Sequence, residues 1–425
     1  MNSLLLKGAR VIDPSQQLDQ AMDILIVEGK IAAVGVDLVE ESAEIIDLSG
    51  RVVTPGLIDM HVHLREPGQE YKEDIASGSR AAVRGGFTAI ACMPNTNPVI
   101  DNRSQVEFIF ARAREAGMAR VYPIAALTKG QLGQELTEMG ELKSCGVVAL
   151  SDDGKNVSNA EVMRNAMEYA SMFNLPVISH CEESSLAEGR VMHLGAVSTR
   201  LGLRGIPAAA EEVIVARDIL LAELTGARLH LAHLSSAGSV RLLRDAKARG
   251  VKVTAEVTPH HLAVTDEQVA TSCYDTNTKV NPPLRTEADR QALIAALCDG
   301  TIDAIATDHA PHHRDDKLVE YDLAAFGISG LETAVPLLLD RLVRTGDVPL
   351  ATLIARLTCG PAKILGLSSG IQLGAPADLT VLDLGVTKTV NPDVFASKGR
   401  NTPFAGWELT GWPTMTIVDG VVVKA

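Results

Sequence analysis

From about residue 55 to residue 365 the chain alternates short apolar runs with longer segments of helical period, and few folds can absorb that alternation. The runs include residues 88–93, 147–150, 177–179, 229–232 and 302–307. Between them lie Ala/Glu/Arg-rich stretches, at 105–116, 160–172, 208–224 and 239–249, whose apolar positions recur three and four residues apart. Strands alternating with helices imply parallel pairing, and about 310 residues are enough for an eightfold barrel. A doubly wound open sheet is the alternative. Its nucleotide-binding versions lose support because no GxGxxG follows a strand and no GxxxxGK[ST] occurs.

The flanks have a different texture. Residues 24–27 and 31–34 bracket Glu28-Gly29-Lys30, and residues 415–418 and 421–423 bracket Asp419-Gly420, so both ends read as hairpins. A sheet made by one terminus alone would be marginal, so the ends are expected to pair with each other. The expected architecture is α/β: a (β/α)8 TIM-like barrel over 55–365, with a small β-sandwich composed of 1–54 and 366–425.

The residues at the carboxyl ends of the runs carry chemistry. His61-Val62-His63 ends the apolar segment 52–60, and on a strand residues i and i+2 point the same way, so both imidazoles can reach one metal ion. His180, His233 and Asp308 close three further runs, and Asp152-Asp153-Gly154 follows a fourth. Parallel barrel strands converge at these ends, where the active sites of such barrels lie. Imidazole and carboxylate without thiolate suit Zn²⁺, with Mn²⁺, Co²⁺ or Fe²⁺ as alternatives. Four His and two Asp exceed the three protein ligands of one catalytic site. Two metals sharing a carboxylate and a hydroxide are therefore expected, an arrangement suited to hydrolysing an amide-like bond.

Composition removes other classes. With 39 Lys+Arg against 53 Asp+Glu, and 2 Trp, 5 Tyr and 7 Phe, the chain lacks the basic charge and the stacking platforms of a nucleic-acid binder. No apolar window approaches the ~18 residues of a membrane span, and the N-terminal apolar run is too short for a signal peptide. Six cysteines without a CxxC pair fit free thiols in a reducing compartment, so a cytoplasmic location is expected.

The run from Pro55 through His61-Val62-His63-Leu64-Arg65 to Gly68 resembles the amidohydrolase superfamily, and specifically the dihydroorotases of the longer, first type. So do Met93-Pro94-Asn95-Thr96, Asn281-Pro282-Pro283-Leu284-Arg285, Ala306-Thr307-Asp308-His309-Ala310-Pro311-His312 and Phe326-Gly327-Ile328-Ser329-Gly330-Leu331-Glu332, while Gly374-Ala375-Pro376-Ala377-Asp378-Leu379 resembles the superfamily's C-terminal sandwich entry. The resemblance spans the chain. It implies reversible closure of N-carbamoyl-L-aspartate to dihydroorotate in pyrimidine biosynthesis by a metal-bound hydroxide. It further implies that His61 and His63 bind one zinc ion, that His180 and His233 bind a second, that Asp153 bridges them, and that Asp308 ligates the first and is the general base. Arg65, Asn95 and Asn281 would hold the substrate carboxylate, with His63, His312 and the Phe326-Gly327 backbone also on the substrate. An aspartate bridge is shorter than the carboxylated lysine of other superfamily members, so the second metal is expected to be the weaker one. A homodimer is expected, with an aspartate carbamoyltransferase as candidate partner. The rival readings are a hydantoinase or allantoinase, which would not need the Arg65 cation, and a non-catalytic scaffold, which would lack ligands.

Neighbouring polar residues have plainer expectations. Asp152 would face away or cap a turn, and His193, His230, His260 and His261 would be structural. His309 and His313 would orient the residues beside them, and Asn277 is the alternative to Asn281. The charged stretch 313–322 would be a solvated loop or an active-site lid.

Overall fold

In the computed structural model, which describes residues 3–423, the alternating middle curls into a nearly closed barrel. Eight parallel strands follow one another in chain order: Leu57–Val62, Phe87–Cys92, Arg120–Ala125, Ala149–Ser151, Val177–Ser179, Leu229–Leu231, Val253–Val257 and Ala304–Ile305. The last strand has only two residues, and the chain beyond it meets the first strand through the Asp59 side chain and a single backbone bridge between Val62 and His309. Thr307 donates its N–H and hydroxyl to the Asp59 carboxylate at 3.1 and 2.5 Å, and the His63 N–H donates to the His309 carbonyl at 2.8 Å.

The four expected helices form as Arg103–Ala116, Ala160–Ser171, Ala209–Thr225 and Ala237–Ala248. Caps set several of their limits. The side chains of Asn102, Asn159 and Ser236 accept N–H groups of the first turns, and Gly117 ends the first helix at φ 61°, where a Cβ would be strained. The inner faces, including Ile109, Met163, Met167, Ile219 and Leu243, join strand residues such as Ile90, Leu150 and Val177 in one apolar layer. Each such side chain contributes about 1.5–3 kcal/mol by leaving water. Alternate strand residues, among them Ala91, Ala149 and Ile178, point the other way and pack with Met60, Ile124 and Ala304. An excursion with no strong periodicity, residues 181–208, carries two short helices and a pairing of Met192–His193 with Gly205–Ile206.

The chain ends build the second unit, an eight-stranded sheet. Ser3–Asp13, Leu18–Val27, Lys30–Gly35, Glu44–Asp47 and Val52–Pro55 come from one end, and Leu379–Thr389, Glu408–Val418 and Val421–Val423 from the other. The two sets meet where Val52–Pro55 runs antiparallel to residues 379–382. Both hairpin turns have positive φ at their two central residues, Glu28 with Gly29 and Asp419 with Gly420, matching the right-handed twist of the strands. Leu6, Val11, Ile24, Val53, Leu379 and Ile417 share its apolar core. Gly56 marks the passage into the barrel: a Cβ there would lie 2.1 Å from the Thr88 hydroxyl. Among the described residues no helix is long and apolar enough to cross a membrane.

Candidate active site

Six side chains converge at the carboxyl ends of the barrel strands. His61 and His63 come from the first strand, Asp153 follows the fourth, His180 the fifth, His233 the sixth and Asp308 the eighth; all are buried. Ligand atoms held tetrahedrally around one Zn²⁺ lie about 3.3 Å apart. The cluster has that spacing twice. His61 Nε2 is 3.4 Å from Asp153 Oδ1 and 3.5 Å from Asp308 Oδ1, and His63 Nε2 is 3.0 Å from Asp308 Oδ1 and 3.5 Å from Asp153 Oδ2. His180 Nδ1 and His233 Nε2 are 2.9 Å apart and lie 3.7 and 3.8 Å from Asp153 Oδ1. Asp153 is common to both groups.

His61 Nε2 and Asp153 Oδ1 are buried without a hydrogen-bond partner, a costly state that a shared cation would relieve. Burial pushes Asp153 and Asp308 upward, but the imidazoles, His61 foremost, hold both well below the usual carboxylate range. Three residues at this mouth have left-handed backbone although none is glycine: Arg65 at φ 61°, His233 at 32° and Asp308 at 49°. Such strain gathers at functional sites. It also explains how His233 reaches the cluster, since the strand stops at Leu231 and its alternation no longer applies.

Glu256, on the seventh strand, carries no motif yet underpins the site. Its carboxylate takes the His61 Nδ1 proton at 2.6 Å and the His230 Nε2 proton at 3.2 Å, which leaves His61 Nε2 free to face Asp153 and Asp308. Burial opposes its charge, yet His61 and His230 bring it down to about 2. A lone glutamate inside the apolar stretch 253–257 was the available signal. Glu256→Gln is expected to weaken metal binding roughly 10- to 100-fold, as read by competition with a chromophoric chelator. Unchanged affinity would show that it does not act through His61.

A cavity of about 240 Å³ opens above the cluster, and its lining includes Arg65, Asn95, Asn281, His312, Phe326 and Gly327. Arg65 donates from Nε to the Pro311 carbonyl at 3.2 Å and its Nη2 lies 3.4 Å from His312 Nε2, which leaves Nη1 without a protein partner among the described residues. Asn95 accepts the His63 Nδ1 proton at 2.9 Å, so its amide nitrogen remains free. Asn281 differs from the expectation of a carboxylate donor: its Nδ2 is given to Glu182 at 2.7 Å, so its oxygen is the free group. Phe326 and Gly327 form a wall in which both carbonyls and the Gly327 N–H are already engaged. The Phe326 carbonyl accepts from His312 Nε2 at 2.8 Å, and the Gly327 N–H donates to Lys279 at 2.9 Å. Burial, with Arg65, Lys317 and Lys72 adding to it, brings His312 down to about 3, so it is neutral at pH 7.

The remaining polar residues are placed as follows. Asp152 turns from the cluster and accepts the N–H groups of Leu127 and Thr128 at 2.8 and 3.1 Å. His193 accepts from Arg285 at 3.1 Å, and His261 donates to the Pro282 carbonyl at 3.0 Å. His260 is buried beside His261. His309 bridges the Gly330 N–H and Glu73 at 3.1 and 3.3 Å, and His313 caps the short helix Arg314–Lys317. Asn277 lies in the turn Thr276–Thr278, whereas Asn281 reaches the cavity.

A segment of the C-terminal unit completes the mouth. Ser397 and the Lys398 N–H bind Glu73. Asn401 accepts the His312 N–H at 3.0 Å and donates to the Ala310 and Gly327 carbonyls, each at 3.0 Å.

Comparison with known proteins agrees with this geometry. A family described as dihydro-orotase-like matches residues 50–239. The dihydroorotase of Pelotomaculum thermopropionicum is 56% identical over 421 residues, covering 99% of this chain and 98% of that one. That of Syntrophus aciditrophicus is 55% identical over 423 residues, covering 99% of each. Among solved structures, an L-hydantoinase from Arthrobacter aurescens superposes with a TM-score of 0.88 at 25% identity, covering 100% of this chain and 96% of that one.

Proposed function

The chain belongs to the dihydroorotase family, and on that premise we propose that the cluster around Asp153 and Asp308 is where N-carbamoyl-L-aspartate and (S)-dihydroorotate are interconverted. The chain is a hydrolase of cyclic amides, acting on a small molecule in pyrimidine biosynthesis. The observation that carries the site assignment is that Asp153, whose Oδ1 is buried without a partner, and Arg65, a cation suited to a carboxylate, line one cavity.

The donor set fits one or two divalent cations. Zn²⁺ is the first choice: His61, His63 and Asp308 would hold one ion, and His180 and His233, near Asp153, would hold a second. When bound, such ions supply Lewis acidity and make water nucleophilic near neutral pH. The chain's own residues do the rest. Arg65 offers a guanidinium fork to the substrate carboxylate, with the Asn95 amide nitrogen beside it. The Asn281 oxygen accepts a ring N–H, and Phe326-Gly327 closes over the ring. Asp308, ionised at neutral pH, takes the proton of the attacking water. It returns that proton to the ring nitrogen as the amide bond breaks, and synthesis runs the same transfer backwards.

A homodimer in the cytoplasm fits the same reading. The outer side of Ala209–Thr225 leaves Val213, Leu220 and Leu224 exposed at 50, 62 and 71%, an apolar face that a second copy would cover. All six cysteines are free thiols, as a reducing compartment allows. An aspartate carbamoyltransferase, whose product is this substrate, is the candidate partner.

The test is dihydroorotate hydrolysis by the purified protein, with metal content measured on the same sample and a neutral hydantoin as competing substrate. Turnover of dihydroorotate that is lost on chelation and restored by Zn²⁺ is the expected result. Preference for the hydantoin would transfer the chain to the specificity of its structural neighbours.

A further inference from the structure

The segment between His312 and Phe326 lies against the barrel mouth. Lys317 within it is 5% exposed and makes no ion pair among the described residues. Its ammonium instead donates to three carbonyls: Thr276 at 3.0 Å, Lys279 at 3.4 Å and Ala325 at 2.7 Å. Burial, with Lys279 beside it, brings Lys317 down to about 7, and in its protonated form these three acceptors take all three protons. The acceptors flank residues that line the cavity. Thr276 and Lys279 lead into Asn281, and Ala325 precedes Phe326 and Gly327.

Lys279 ties the same pieces from the opposite side. Its ammonium donates to the Asp322 carbonyl at 3.0 Å and lies 4.6 Å above the Phe326 ring, while its carbonyl accepts the Gly327 N–H at 2.9 Å. A buried ammonium without an acid is costly, and an apolar side chain of equal length would fill the space without that cost. What the apolar chain cannot supply is three donors radiating from one point.

We propose that Lys317 is a positioning residue for the ring-binding wall, fixing the Asn281 turn and the Phe326-Gly327 pair against each other in the geometry that receives the cyclic amide. This rests on the dihydroorotase reading of the cavity. It also gives the charged stretch 313–322 a definite place: a strap held shut from within. Lys317 touches neither the metal-ligand cluster nor the carboxylate-binding Arg65 through any of its hydrogen bonds. Its loss should therefore act on ring binding and leave metal content unchanged.

The experiment compares wild type, Lys317→Met and Lys279→Met in steady-state hydrolysis of dihydroorotate, with bound metal and thermal melting measured on each sample. For Lys317→Met the expected result is a fall in kcat/KM of roughly 100-fold, carried mostly by KM, at wild-type metal content. A folded, metal-loaded Lys317→Met with unchanged KM overturns the proposal. Should that variant fail to melt cooperatively, Lys279→Met decides, since it forfeits one hydrogen bond and the contact with the Phe326 ring while leaving the three bonds of Lys317 in place. A KM raised roughly tenfold supports the strap and an unchanged KM overturns it. Wild-type protein without turnover would overturn the activity itself, an outcome distinct from an active wild type with an indifferent variant.

Discussion

Asp308→Asn is expected to lower kcat for dihydroorotate hydrolysis by about three orders of magnitude, in the range that positioned proton transfer supplies. The amide keeps an oxygen where Asp308 Oδ1 now lies, 3.0 Å from His63 Nε2 and 3.5 Å from His61 Nε2, but it cannot accept the proton of water. The substitution therefore separates proton transfer from ligation. Asp308→Ala beside it removes both, and its metal content is expected to fall. Bound metal is measured by elemental analysis on the samples used for kinetics. An asparagine variant that keeps its metal and more than a tenth of wild-type kcat would remove Asp308 from the role of base.

Arg65→Ala comes next in magnitude. A guanidinium paired with a carboxylate makes two charge-assisted bonds of about 1.5–3 kcal/mol each, so kcat/KM for dihydroorotate is expected to drop roughly 10²- to 10⁴-fold. Metal content should not change, because the contacts of Arg65 run to Pro311 and His312 and not to the ligand cluster. A neutral cyclic diamide, having no carboxylate to lose, should suffer far less. Equal losses on both substrates would mean that Arg65 shapes the mouth and does not read charge.

The convergence of the candidate ligands was legible because a parallel barrel brings the ends of distant strands to one place, so a histidine or aspartate closing each run is informative even without spacing between runs. His61 with His63 could be read from strand alternation alone. Asp153 could be told from Asp152 only by motif, and the physical reason is visible in the structure: Asp152 is committed to the Leu127 and Thr128 N–H groups. Glu256 and Lys317 were hidden for opposite reasons. One is a single charge in an apolar strand, which carries no pattern. The other sits in Arg314-Asp315-Asp316-Lys317, which reads as a solvated surface although its last ammonium is buried. The left-handed backbone at Arg65, His233 and Asp308 was equally illegible, since none of these residue types announces it.

The contacts of residues 397–401 have a consequence for how the protein is made. Every candidate ligand and substrate residue lies upstream of position 330, yet Glu73, His312 and Gly327 have Ser397, Lys398 and Asn401 among their partners. On the ribosome, the wall over the cavity therefore waits for almost the whole polypeptide to emerge. A chain ending before residue 397 would carry all six candidate ligands and still lack these contacts to Glu73, His312 and Gly327, so the wall over its cavity would be unfinished.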